Sequence, residues 1–102
     1  MTRGEIWLAE VGAKTRPVVV LTRTEVIDVR RLVTVAEITT SIRGIAAEVG
    51  LDHAAAGLER ASVINCDGLQ TIRRSSLTKR VGTVNDATMA RVCDAVQYAI
   101  GC

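Results

Sequence analysis

Arg16 stands directly before Pro17 and the apolar run Val18–Leu21, inside the stretch TRPVVVLTR. A guanidinium is charged at any working pH and presents a planar fork of donors. At the mouth of an apolar strand it either snorkels to solvent along its own stem or is held there to meet an anion. A second set of polar groups, Thr39, Thr40, Ser41 and Arg43, closes the later stretch RLVTVAEITTSIRG. If the two stretches pair as antiparallel strands across residues 23–30, the start of the first lies beside the end of the second, and Arg16 comes close to Thr39. Cations and hydroxyl donors gathered at one sheet end are what a phosphate diester needs for positioning and charge stabilisation. Spacing alone equally allows Thr39 and Thr40 to be β-formers that merely end a strand.

The elements that must position these groups read as follows. EIWLAEV is a first strand, GAKT a short polar turn, and RPVVVLT a second strand. The connection to RLVTVAEIT has room for one short helical turn. Further short strands are expected at AAEVGL, SVINC, LQTI and RVGTV, separated by Gly, Asp and Asn signals. The period then changes: Met89, Val92, Cys93, Val96 and Ile100 recur at helical spacing, with Asn85 or Asp86 to cap the start and Gly101 past the end. The expectation is a mainly β domain spanning residues 1–102, a small curved antiparallel sheet or barrel closed by a C-terminal helix.

Composition narrows the chemistry. With 102 residues, 48% of them hydrophobic and 24% charged, the chain suits one globular domain. No apolar run approaches the roughly 20 residues that span a bilayer, and MTRGEIWLAE lacks the apolar stretch of a secretory signal, so a soluble cytoplasmic protein is expected, with no membrane partner. Cys66, Cys93 and Cys102 form no CxxC pair, which predicts reduced structural thiols and no zinc site. The single His53, in LDHAAAGLE, cannot supply a histidine pair and is expected in a loop. A net charge of +2 does not announce nucleic acid, although eleven of the 13 basic residues are arginines. Arginine suits phosphate; a base-composition bias would enrich it equally.

RGEIWLAE, RPVVVLTR, VTVAEITTSIRG and VINCDGLQTIRRSSLTKRVGTV, in this order and spacing before a terminal helix, resemble the MazF/PemK-type toxins of bacterial toxin–antitoxin systems, which are mRNA interferases. The resemblance spans nearly the whole chain. It implies an SH3-like antiparallel β-barrel with a C-terminal helix, assembled as a homodimer. It also implies that Arg16 and Thr39 are catalytic, matching an arginine before proline on the second strand and a threonine ending the third. Pro17, Arg23, Thr40, Ser41, Arg43, Asp67, Gln70 and Arg73 are then the RNA-binding candidates, Asp67 and Gln70 by resemblance alone.

The implied reaction is metal-independent and needs no cofactor. In single-stranded RNA the 2′-hydroxyl attacks the adjacent phosphate, leaving a 2′,3′-cyclic phosphate or its 3′-phosphate product and a 5′-hydroxyl. Arg16 would stabilise charge on the phosphate oxygens and Thr39 would orient the phosphate, an alcohol being a poor base unless activated. The GAKT turn is shorter than the loop of many members that contributes to proton transfer, which leaves the base and acid unassigned. The implied partner is an antitoxin with a disordered, acidic C-terminal segment that orders on binding and competes for the arginine-rich rim, Arg16, Arg23, Arg43 and Arg73. Two other classes meet part of this pattern. A CcdB-like gyrase poison shares the fold but carries a tryptophan near its C-terminus, where this chain has QYAIGC. An SH3-like peptide adaptor needs an aromatic groove, and Trp7 and Tyr98 are the only aromatics.

Overall fold

A computed structural model describes residues 1–102. Strands β1 (Glu5–Val11) and β2 (Lys14–Val20) are joined by Gly12 and Ala13 alone, so the hairpin is tighter than the expected four-residue turn. Gly12 holds φ at 62°, the left-handed conformation that a two-residue hairpin requires and a Cβ disfavours. One helical turn, α1 (Thr24–Ile27), bridges to β3 (Leu32–Thr39) and buries Ile27 completely. After it come β4 (Glu48–Gly50), β5 (Val63–Arg73), a 3-10 turn over Arg74–Ser76, β6 (Leu77–Thr83) and α2 (Asp86–Ile100).

The six strands form one antiparallel sheet in the order β4-β5-β3-β2-β1-β6. SVINC and LQTI, expected as separate strands, are continuous in β5. Asp67 and Gly68 do not break the strand. They sit at a register shift opposite the Ala36–Glu37 step of β3, with Asn65 Oδ1 accepting from the Asp67 N–H at 3.1 Å.

The expected barrel is not closed, since β4 and β6 end the sheet without pairing. β4 is only three residues long, and the turns after it take the place of a closing ladder. Those turns press backbone on backbone against β6: a Cβ on Gly82 would lie 2.0 Å from the Ala56 carbonyl oxygen, and one on Gly57 2.5 Å from that of Val81. Only glycine permits this approach.

Period-2 alternation gives each face of the sheet its own core. One face buries Ile6, Val19, Ala36, Ile38 and Ile64 against Val92 and Ala95 of α2. The other buries Val18, Val20, Val33 and Val35 with Ile27 and Leu77. The Arg74 guanidinium donates to the Ile27 carbonyl at 2.7 Å and so ties α1 to the far end of β5.

Asn85 caps α2, its Oδ1 accepting from the Thr88 N–H at 2.8 Å, and Gly101 ends the helix at φ 76°. Ile100, expected on the packed face, is 59% exposed, because the last buried residue is Ala95 and the final turn overhangs the core. No helix is long and apolar enough to cross a membrane. All three cysteines are free. Burial, with Asp67 and Cys93 adding to it, pushes the Cys66 thiol up to about 11, so it stays protonated in the core.

Candidate functional site

Pro17 sets the geometry of the rim. The ladder from β2 to β1 runs through Pro17 out to Lys14, whereas the ladder from β2 to β3 ends at Val18–Glu37. Proline has no N–H to donate, and beside it β2 and β3 part. The register carried two residues outward sets Arg16 opposite Thr39, on the face shared by Val18, Val35 and Glu37.

Arg16 leans back across the gap and donates from Nη1 to Glu37 Oε1. Its side chain is 44% exposed, that of Glu37 20%. A pair this open contributes about 0–1 kcal/mol, so an arriving anion displaces or shares it cheaply. A guanidinium has five N–H donors and one is in use, which leaves the fork available to a phosphate.

Thr39 is half-buried, and its Oγ1 accepts from the Ser41 N–H at 3.0 Å. This bond orients the oxygen and leaves the hydroxyl proton free to donate. Thr40, Ser41 and Arg43 are exposed just beyond. Arg43 is not free: its Nε lies 3.5 Å from Glu48 Oε2. Glu48 also accepts from the Arg43 N–H at 2.9 Å and the Gly44 N–H at 2.8 Å, which folds the 43–48 segment into a compact turn. Burial alone pushes the Glu48 carboxyl up, but those N–H groups and the Arg43 guanidinium outweigh it and hold it below the ordinary carboxylate range.

The structure divides the remaining candidates. Gln70 pairs with Val35 on the Glu37 face, midway along the sheet, and Asp67 is exposed on the β5 bulge. Arg73 pairs with Leu32 at the opposite end of β3, and Arg23 lies past the end of β2, before α1. β3 separates its two ends by roughly 24 Å. Arg16, Thr39 and Arg43 therefore share one end of the sheet, while Arg23 and Arg73 belong to the other, where Arg31, Arg73 and Arg74 line a pocket with Ser75. His53 sits in the turns between β4 and β5.

Glu37 and Asn65 escape a reading based on the hairpin alone. Glu37 was visible as a lone carboxylate in the alternation of VTVAEIT, on the same face as Thr39. Asn65 was not, since only the bulge in β5 brings it opposite Glu37. No three His, Cys, Asp or Glu side chains gather as a metal ligand set. The rim offers a fixed cation, an oriented hydroxyl and one carboxylate side by side, a set suited to proton transfer at a bound phosphate diester.

Comparison with known proteins agrees with this fold. Residues 2–100 match the family model described as PemK-like, MazF-like toxin of type II toxin–antitoxin system. The chain is 39% identical to a probable endoribonuclease, MazF5, of Mycobacterium tuberculosis, over 98% of this chain and 93% of that protein. It is 48% identical to the endoribonuclease MazF3 of the same organism, over 84% of this chain and 82% of that one. Among solved structures, Mycobacterium tuberculosis toxin MazF-mt6 superposes with a TM-score of 0.89 at 37% identity, covering 95% of this chain and 96% of the other. The match to the family model runs across every element described above, and the chain belongs to the PemK-like, MazF-like toxins of type II toxin–antitoxin systems.

Proposed function

We propose that this toxin is an endoribonuclease that cuts single-stranded RNA through attack of the substrate's own 2′-hydroxyl on the adjacent phosphate. The observation that carries the proposal is the gap beside Pro17, where the Arg16 fork and the Thr39 hydroxyl stand at one end of one sheet face. Relatives covering most of the chain bear the name endoribonuclease, which supports the same activity here. Arg16 neutralises the charge that grows on the non-bridging oxygens, and Thr39 donates to one of them. Pro17, Thr40, Ser41, Arg43, Asp67 and Gln70 border the reacting nucleotides, while Arg23 and Arg73 meet phosphates farther along the strand.

Residues 1–102 act as one catalytic domain in the cytoplasm and assemble as a homodimer. Exposed Ile42, Ile45, Tyr98 and Ile100 supply apolar surface for assembly. The antitoxin implied by the family carries an acidic segment drawn to the Arg16 end of the sheet, in competition with RNA. A long transcript incubated with the purified protein in excess chelator tests the activity. Discrete fragments are expected; an intact transcript would count against it.

A further inference from the structure

Glu37, opposite Val18 at the end of the β2–β3 ladder and in contact with Arg16, is a carboxylate at the rim to which no role is yet assigned. Attack by a 2′-hydroxyl needs a proton acceptor, and Arg16 and Thr39 are unsuited to it: one is permanently protonated, the other an unactivated alcohol. The turn between β1 and β2 contains only Gly12 and Ala13 and supplies no acid. Glu48 is committed to the N–H groups of its own turn. Asp67 lies out on the β5 bulge, beyond Asn65.

We infer that Glu37 is the general base of this cleavage, an assignment that rests on the ribonuclease reading above. Glu37 and Thr39 lie two residues apart on one strand face, about 6.5–7 Å along it. A phosphate held between the Thr39 hydroxyl and the Arg16 fork places the adjoining ribose over Glu37. Arg16 orients the carboxylate through Nη1 and keeps its other donors for the phosphate.

The groups that face Glu37 from each neighbouring strand are few. Arg16 comes from β2, the neutral Asn65 from β5 with Asp67 past the bulge, and Glu48 from β4 on the far side of Asn65. The carboxylate is thus partly sheltered, with one cation beside it and no acid in the adjoining register positions.

In the step, a Glu37 carboxylate oxygen takes the 2′-hydroxyl proton as the 2′-oxygen bonds to phosphorus. The bond from phosphorus to the 5′-oxygen breaks, and its electron pair stays on that oxygen. Water protonates the leaving oxygen and Glu37 returns its proton to solvent, so the products are a cyclic phosphate and a 5′-hydroxyl with no net uptake of protons.

The test compares parental protein, Glu37→Gln, Glu37→Asp and the exposed-loop control Glu59→Gln on one RNA oligonucleotide at pH 7. Binding is measured in parallel with the same oligonucleotide carrying 2′-O-methyl groups, which cannot react. Glu37→Gln is expected to cut about 10²–10⁴-fold more slowly and to bind the 2′-O-methyl RNA within about threefold of parental. Glu37→Asp, which keeps a carboxylate, cuts faster than Glu37→Gln though slower than parental, and Glu59→Gln matches parental. Parental protein that cuts while Glu37→Gln cuts equally or faster overturns the assignment and makes Glu37 a counter-ion that competes with phosphate for Arg16. Parental protein that cuts no RNA overturns the ribonuclease reading itself, and the base with it.

Discussion

The Arg16 guanidinium donates to the carboxylate of Glu37 across the gap where Pro17 ends the β2–β3 ladder, so the cation at the rim is oriented before any substrate arrives. Preorganised charge of this kind is worth most in the transition state. Arg16→Ala is expected to lower the cleavage rate about 10²–10³-fold while circular dichroism and the melting temperature stay near parental, since the residue is half-exposed and carries no core volume. Arg16→Lys recovers little, because an ammonium cannot hold Glu37 and a phosphate in one plane. A near-parental rate for Arg16→Ala would remove Arg16 from the site.

Thr39→Val keeps the shape of the side chain and deletes its hydroxyl. The bond lost in the transition state is one to a charged phosphate, about 1.5–3 kcal/mol, and the rate should fall about ten- to a hundredfold. The Ser41 N–H loses its acceptor too, but Ser41 is exposed and water replaces it. Unchanged cutting by Thr39→Val would leave Thr39 as a strand-ending β-former.

The 43–48 turn makes the fold sensitive to acid. Glu48 is held below its ordinary value in the folded chain, so its contribution to stability is complete above the unfolded value near 4.5 and is lost as pH falls through the folded value. Urea midpoints measured at pH 7 and again below pH 4 should drop further in the parental protein than in Glu48→Gln, which starts lower and changes less. Equal drops in the two proteins would mean that the turn does not hold the carboxylate.

Gly82→Ala tests how the open sheet is sealed. The added methyl would meet the Ala56 carbonyl, whereas Gly50→Ala, on the β4 edge, meets nothing within 4 Å. A loss of about 1–3 kcal/mol is expected for Gly82→Ala, and less than about 0.5 kcal/mol for Gly50→Ala. Matching thermal melts for the two variants would show that the turns after β4 lie more loosely on β6.

What could be read along the chain, and what could not, follows from which interactions are local. The first three strands and α2 are written as alternation and helical period, and hairpin symmetry alone places Arg16 near Thr39. The break expected at Asp67–Gly68 is a bulge, because β3 pairs with β5 on both sides of it, a long-range effect invisible in the local signal. The sealing of the open sheet by turns rather than by a closing ladder likewise depends on two glycines meeting carbonyls from distant segments. Residue type alone gathers the arginines on one rim, but strand length separates Arg23 and Arg73 from Arg16.

End-group analysis of one sequence made with ribose and again with 2′-deoxyribose at every position, both incubated in chelator, decides whether the nucleophile is the RNA's own 2′-hydroxyl. The ribose strand should yield fragments with a 5′-hydroxyl and a 2′,3′-cyclic phosphate or its 3′-phosphate product, and the deoxy strand should bind without being cut. Cleavage of the deoxy strand, or fragments that begin with a 5′-phosphate, would contradict the mechanism.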